Sequence, residues 1–167
     1  QLLADIRRMN RVLVPRGLCL LPMRMDDGRA LLYLYRPQAL CRDLGDDLAC
    51  RVENSALAQL LETARRDGNE IMVFVGNRGC VQIFTGVVEK LTPMKGWLNI
   101  FNPTFTLHLL EETIAESWVT RKPTADGHVT SLELFAADGT QIAQLYGQRT
   151  EGEPEQTQWR AQIDALT

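Results

Sequence analysis

The stretch from Arg121 to Arg149, RKPTADGHVTSLELFAADGTQIAQLYGQR, permits few folds. Two runs of alternating apolar and polar residues, Val129 to Ala136 and Thr140 to Tyr146, flank a tight Ala137-Asp138-Gly139 turn. Alternation with period two gives a strand two unlike faces, and so short a turn joins two strands as an antiparallel hairpin. Ile142, Gln144 and Tyr146 then share one face, with Ala143 and Leu145 on the other. In the strand before the hairpin, Trp118, Thr120 and Lys122 share a face. Groups able to grip an anion stand at both ends: Arg121 and Lys122 at the start, Gln144, Tyr146 and Arg149 at the finish. Charge-assisted bonds to a carboxylate are among the stronger hydrogen bonds, and Arg can make two in parallel. The same residues equally suit solvated strand-end charges and an edge aromatic, so their chemistry alone names no ligand.

The rest of the chain reads as scaffold. Apolar spacing predicts a helix over residues 2–13 that ends at Pro15 and Gly17. Leu18 to Met23 and Arg29 to Tyr35, separated by Asp26-Asp27-Gly28, predict a hairpin. A short helix is expected over Gln38 to Leu44. A second helix, capped by Asn54 or Ser55, runs to about Arg66 with Leu57, Leu60, Leu61 and Ala64 in one stripe. From Glu70 the period changes to two. Strands are expected at Ile71 to Val75, Cys80 to Lys90, Trp97 to Phe101, Phe105 to Leu109 and Ile114 to Arg121, with a turn at Pro93 and Gly96. In Cys80 to Lys90, Val81, Ile83 and Val87 are expected on one face. Pro123-Thr124 marks a further turn. A last helix, from about Pro154 to Leu166, carries Trp159, Ile163 and Leu166 on one side. The connections between strands are too short for helical crossovers, so the sheet is expected to be antiparallel. The fold class is α+β, a large antiparallel sheet flanked by N-terminal helices and a C-terminal helix.

Composition removes several classes. The 167 residues carry a net charge of -3, which supplies no basic field for a nucleic acid. The longest apolar runs, such as Ala30 to Tyr35, fall far short of the ~20 residues of a membrane helix. No membrane span and no nucleic-acid partner are therefore expected. The four cysteines include no Cys-x-x-Cys pair. They read as reduced, mostly buried thiols in a cytoplasmic protein. Of the two histidines, His128 follows a turn and reads as exposed, while His108 lies on a Thr-lined strand face. No carboxylate partners them at ligand spacing, and there is neither a nucleophile elbow nor a phosphate-type glycine loop.

Three long segments carry a resemblance: NSALAQLLETARRDGNEIMVFVGNRGCVQIFTGVVEKL, GWLNIFNPTFTLHLLEE and WVTRKPTADGHVTSLELFAADGTQIAQLYGQRTEGEPE. From about Asp46 to Leu166 the chain resembles the C-terminal half of the bacterial cytoplasmic haem-utilisation proteins of the HemS/ChuS family. The resemblance implies two repeated halves, each a large antiparallel sheet with flanking helices, of which this chain looks like one. Residues 1–45 are then a divergent N-terminal helix-hairpin segment and residues 46–167 the haem-utilisation domain. The family's Arg-Lys-Pro motif supplies Lys122, and its Gln-x-Tyr-x-x-Arg motif supplies Gln144, Tyr146 and Arg149. The resemblance implies that these four line the haem site and meet its propionates. The family's axial histidine lies just ahead of its C-terminal half, and residues 1–45 hold no histidine. His108 is left as a weak candidate for the haem iron.

The implied function is haem binding in bacterial haem uptake and iron acquisition, as a cytoplasmic carrier, with oxidative haem degradation as an open activity. The implied partners are haem and either a second copy in a homodimer or a missing N-terminal half. The alternative is a non-catalytic interaction or dimerisation module that keeps the fold without the iron-ligating histidine.

Overall fold

The computed structural model of the chain describes residues 8–9, 19–24, 30–35, 37–77, 80–125 and 127–167, with backbone alone for 19–24 and 30–35. The elements are β1 (Cys19–Arg24), β2 (Ala30–Tyr35), α1 (Pro37–Asp43), β3 (Ala49–Val52), α2 (Ala56–Asp67), β4 (Ile71–Gly76), β5 (Val81–Gly86), β6 (Leu91–Met94), β7 (Trp97–Asn102), β8 (Phe105–Leu110), β9 (Glu116–Thr124), β10 (Gly127–Phe135), β11 (Gln141–Gly147) and α3 (Thr157–Asp164). The class is α+β, as expected. The strands form a six-stranded sheet in the order β3-β9-β10-β11-β4-β5, a three-stranded sheet β6-β7-β8 and the hairpin β1-β2. Every pairing among the described residues is antiparallel.

Register gives the six-stranded sheet its two faces. Ser131 lies opposite both Thr120 and Tyr146, and Tyr146 lies opposite Met72. On the alternate positions Leu132 lies opposite Val119 and Leu145, and Leu145 opposite Val73. The second set faces the core, where Leu57, Leu60 and Leu61 of α2 and Trp159 and Ile163 of α3 pack on it. A fully buried side chain of this size contributes about 1.5–3 kcal/mol relative to exposure. Helix α2 turns its predicted stripe inward and ends where Gly68 takes a left-handed φ of 70°, its N–H bonding the Ala64 carbonyl. The three-stranded sheet adds Leu98, Ile100 and Leu109 to the same core, and its Phe105 stacks on Phe84 of β5 with ring centroids 4.0 Å apart.

A second, smaller core lies on the opposite face. Cys41 of α1 packs with Ala49, Trp118 and Phe135, which roofs one end of that face. Gln38 reaches the β10–β11 turn, since a Cβ on Gly139 would sit 2.8 Å from its Oε1. Gly139 has a φ of 83°, the left-handed conformation that the tight turn requires.

Several sequence expectations need correction. Leu91–Met94 is a strand, not a turn; Pro93 is tolerated because β6 is an edge strand, and the chain reverses instead at Lys95 and Gly96. Strand β5 stops at Gly86, and Val81 and Ile83 point to solvent at 60% and 57% exposure, while Phe84 packs inward. Strand β9 continues through Pro123 and Thr124, which pair with His128 and Gly127. Pro154 precedes α3 rather than opening it. Ser55 stands at the start of α2 without a side-chain capping bond, and the Asn54 amide donates instead to the Ile114 carbonyl (2.9 Å). Of the described cysteines only Cys41 is buried; Cys50 is half-buried and Cys80 exposed, all three as free thiols. The expected 2–13 helix lies almost wholly outside the described residues, as does the turn at 26–28.

Candidate functional site

The residues singled out in the Arg121–Arg149 ribbon divide in the structure. Arg121 and Lys122 are adjacent, so their side chains take opposite faces of β9. Arg121 goes to the helix side and pairs with Asp164 of α3 at 3.2 Å. Lys122 goes to the other, open face. There its Nζ donates to Glu133 Oε1 (2.7 Å) and to the Tyr146 hydroxyl (2.8 Å). The hydroxyl donates to Gln144 Oε1 (3.1 Å), Gln144 Nε2 to Gln141 Oε1 (2.6 Å), and Gln141 Nε2 to Glu133 Oε2 (2.9 Å). Five side chains thus close a ring. Every bond in it runs from the cation towards the anion, by a direct arm and by a second arm through Tyr146, Gln144 and Gln141.

The floor of the ring explains how it forms. Lys122 lies opposite Val129 and Glu133 opposite Trp118, with the Thr120–Ser131 pair between them. Two long side chains therefore lean towards each other over two small hydroxyls. Those hydroxyls bond each other (2.6 Å), and the one that accepts in that bond has its proton for Glu133 Oε1, which lies 3.0 Å from the Ser131 oxygen and 3.3 Å from that of Thr120. Glu133 is left 4% exposed, whereas the Lys122 side chain keeps 48% of its surface in water. Among the described residues no buried side-chain nitrogen or oxygen lacks a partner. Burial alone would push the Lys122 ammonium down, but the Glu133 carboxylate and the Tyr146 hydroxyl outweigh it, so the ammonium is held above its ordinary range. Burial, with Glu133 beside it, pushes the Tyr146 phenol up despite the opposing pull of Lys122.

Beside the ring the same face turns apolar. Tyr146 lies opposite Met72, and Gln144 opposite Phe74, which meets the Tyr146 ring edge-on at 5.5 Å. Phe74 in turn lies opposite Ile83 on the edge strand β5, where Ile83 and Val81 are exposed. An ammonium with amide and hydroxyl donors thus adjoins a flat, partly exposed apolar strip.

The remaining candidates lie outside the ring. Arg149 follows β11, and its Nη1 donates to the Glu153 carbonyl (3.1 Å). His108 is on the three-stranded sheet, where its Nδ1 lies 2.6 Å from Asn99 Oδ1 and its ring 5.5 Å from that of Phe101. His128 is exposed, one position from Val129, and so on the opposite side of β10 from the ring. Glu133 and Gln141 were not anticipated from the sequence. The signal for Glu133 was present: in Ser131-Leu132-Glu133-Leu134-Phe135 one carboxylate interrupts the only face not already filled by leucines.

Fold and site together define an α+β sheet module with one face packed by helices and the other presenting a polar ring beside an apolar strip. The chain belongs to the family described as the haemin-degrading HemS.ChuX domain, which matches residues 35–166. It is 71% identical over 133 residues to the hemin transport protein HemS of Yersinia enterocolitica, covering 80% of this chain and 38% of that protein. The crystal structure of ChuS, an E. coli heme oxygenase, superposes with a TM-score of 0.75 at 80% identity, covering 77% of this chain and 39% of that one. Holo-PhuS, a heme-binding protein from Pseudomonas aeruginosa, gives 0.77 at 45% identity, covering 78% and 38%. The chain therefore spans about two fifths of the length of these relatives.

Proposed function

We propose that the open face of the six-stranded sheet binds haem, with Lys122, Gln144, Tyr146 and Arg149 at its propionate edge and Met72, Phe74 and Ile83 under the macrocycle. The observation that carries this reading is the ring around Lys122, an anchored ammonium with amide donors, set directly beside an apolar strip. Haem has the matching shape, a flat apolar disc with two carboxylates on one edge. The hemin transport, heme-binding and heme oxygenase relatives support the ligand. The cellular role that follows is haem handling in bacterial iron acquisition, in the cytoplasm, with residues 46–167 as the haem-utilisation domain.

Bound haem supplies the redox-active iron. This chain's own residues hold and orient the porphyrin edge. Lys122 offers charge, Gln144 and Tyr146 offer hydrogen bonds, and the apolar strip excludes water from one side of the disc. None of the described histidines lies on this face, so an iron ligand from this chain is not part of the reading. The partner is accordingly a second copy or the other half of a longer protein, either of which can close the site from the opposite side.

The test is a haem titration followed at the Soret band for the parent and for Lys122→Ala combined with Arg149→Ala. Binding weakened at least tenfold is the expected result. A double variant that binds as tightly as the parent removes the assigned roles. The interaction-module alternative is favoured by one observation, the neutralisation of Lys122 by Glu133 within the chain. It predicts no saturable haem binding at micromolar concentration.

A further inference from the structure

Glu133 has a place in the site that the haem-edge residues do not explain. It is the most buried member of the ring and the acceptor at which both arms end. Its carboxylate receives Lys122, Gln141 and one hydroxyl of the Ser131–Thr120 pair. A purely structural hub on a sheet surface needs no full charge. An amide there would still accept from Lys122 and from the hydroxyls. What the carboxylate adds is a negative charge 2.7 Å from the Lys122 ammonium, one of the groups proposed to meet the ligand's carboxylates.

From this we infer that Glu133 sets the strength and selectivity of carboxylate capture, tempering Lys122 so that a carboxylate-bearing ligand is held reversibly. The inference rests on the reading of this face as a porphyrin site. Two of the three Lys122 hydrogens are engaged in the ring, and a ligand carboxylate approaches the third. It then shares one ammonium with Glu133, two like charges a few ångströms apart, whose repulsion opposes binding. A ligand without the carboxylate feels no such penalty. Glu133 does not touch the ligand in this arrangement and acts through Lys122, as a positioning and charge-balancing residue.

Two effects of removing the charge compete, and their sizes decide the sign. Replacing Glu133 by an amide releases the repulsion, a charge–charge effect across a half-wet site. It also sets an amide NH2 against the Gln141 Nε2 donor, so that contact survives only if the Gln141 amide turns over to accept, a cost on the scale of one hydrogen bond. The charge effect is the larger, so carboxylate binding should tighten.

The experiment is a pair of titrations of iron protoporphyrin IX and its dimethyl ester, on the parent chain, on Glu133→Gln, and on Glu133→Gln in a Lys122→Met background. The diacid should bind Glu133→Gln about tenfold more tightly than the parent, equivalent to ~1.4 kcal/mol. The diester should change by less than about twofold, and the diacid gain should vanish without Lys122. Glu133→Met removes the same charge with another shape and must move the diacid in the same direction, which keeps the test decisive if the amide variant folds poorly. Equal shifts for diacid and diester, or a diacid bound more weakly by both variants, would overturn the inference while leaving the haem reading intact. If neither porphyrin binds the parent, the haem reading itself fails and takes this inference with it.

Discussion

The two faces of the six-stranded sheet are built by the same strands and hold opposite chemistry. On the helix side Val73, Val119, Leu132, Leu134 and Leu145 meet α2 and α3, and Trp159 is fully buried with its indole N–H on the Thr130 carbonyl (3.1 Å). Even the polar groups there are structural: Glu155 receives both the N–H and the hydroxyl of Thr130. On the open side the alternate residues of the same strands give Thr120, Lys122, Ser131, Glu133, Gln144 and Tyr146. One face is committed to stability, and the other is the face proposed for recognition. The division is not complete, because α1 and Cys41 cover one end of the open face.

The sharpest break of this comparison is Trp159→Ala. A large buried aromatic truncated to alanine costs about 3–5 kcal/mol, and denaturant unfolding should register it. Gly147→Ala comes next. The added Cβ would lie 2.6 Å from Trp159 Cγ, so overpacking should cost about 1–3 kcal/mol by the same assay.

Substitution on the open face should behave differently. Lys122→Met should cost about 2 kcal/mol of stability, less than Trp159→Ala, because the ammonium is half in water although its loss leaves the buried Glu133 carboxylate without a cation; it should weaken haem at least tenfold. An equal loss of stability from both faces would refute the division. The pH dependence adds a finer check. The Lys122 ammonium is held above its ordinary value, so its contribution is complete below the unfolded value of about 10.4 and is lost only as pH climbs through the folded value. The stability gap between parent and Lys122→Met should therefore stay constant from neutral pH to about pH 10 and shrink in stronger alkali. A gap that closes near neutrality would contradict the Lys122–Glu133 pairing.

The smallest effect concerns the covered end of the open face. Burial, with Glu133 nearby, pushes the Cys41 thiol up to about 12, while Cys80 is exposed. Labelling by iodoacetamide near pH 8, read residue by residue by mass spectrometry, should modify Cys80 well before Cys41. Equal rates would mean that α1 does not roof the face.

Much of this was legible in the sequence because alternation is local. It placed Gln144 with Tyr146, and Trp118 and Thr120 with Lys122, on the correct faces. It also gave the α2 stripe and the inward Trp159. What escaped depends on register and tertiary context. Nothing near Lys122 in sequence says that it meets Glu133, because that contact exists only once Thr120 and Ser131 lie opposite each other. Pro93 with Gly96 signals a turn in the sequence, yet an edge strand accommodates the proline. Pro154 suits a helix start, but the chain stays non-helical to Gln156, whose side chain holds the Glu70 carbonyl (3.0 Å).

The claim that recognition occupies one face can be tested by methyl NMR during titration with ferric protoporphyrin IX, whose iron broadens nearby signals. The account predicts that the Met72 and Ile83 methyls, on the open face, broaden first, while those of Leu132 and Leu145, under the helices, persist. Loss of the Leu132 and Leu145 signals ahead of Met72 and Ile83 would contradict it.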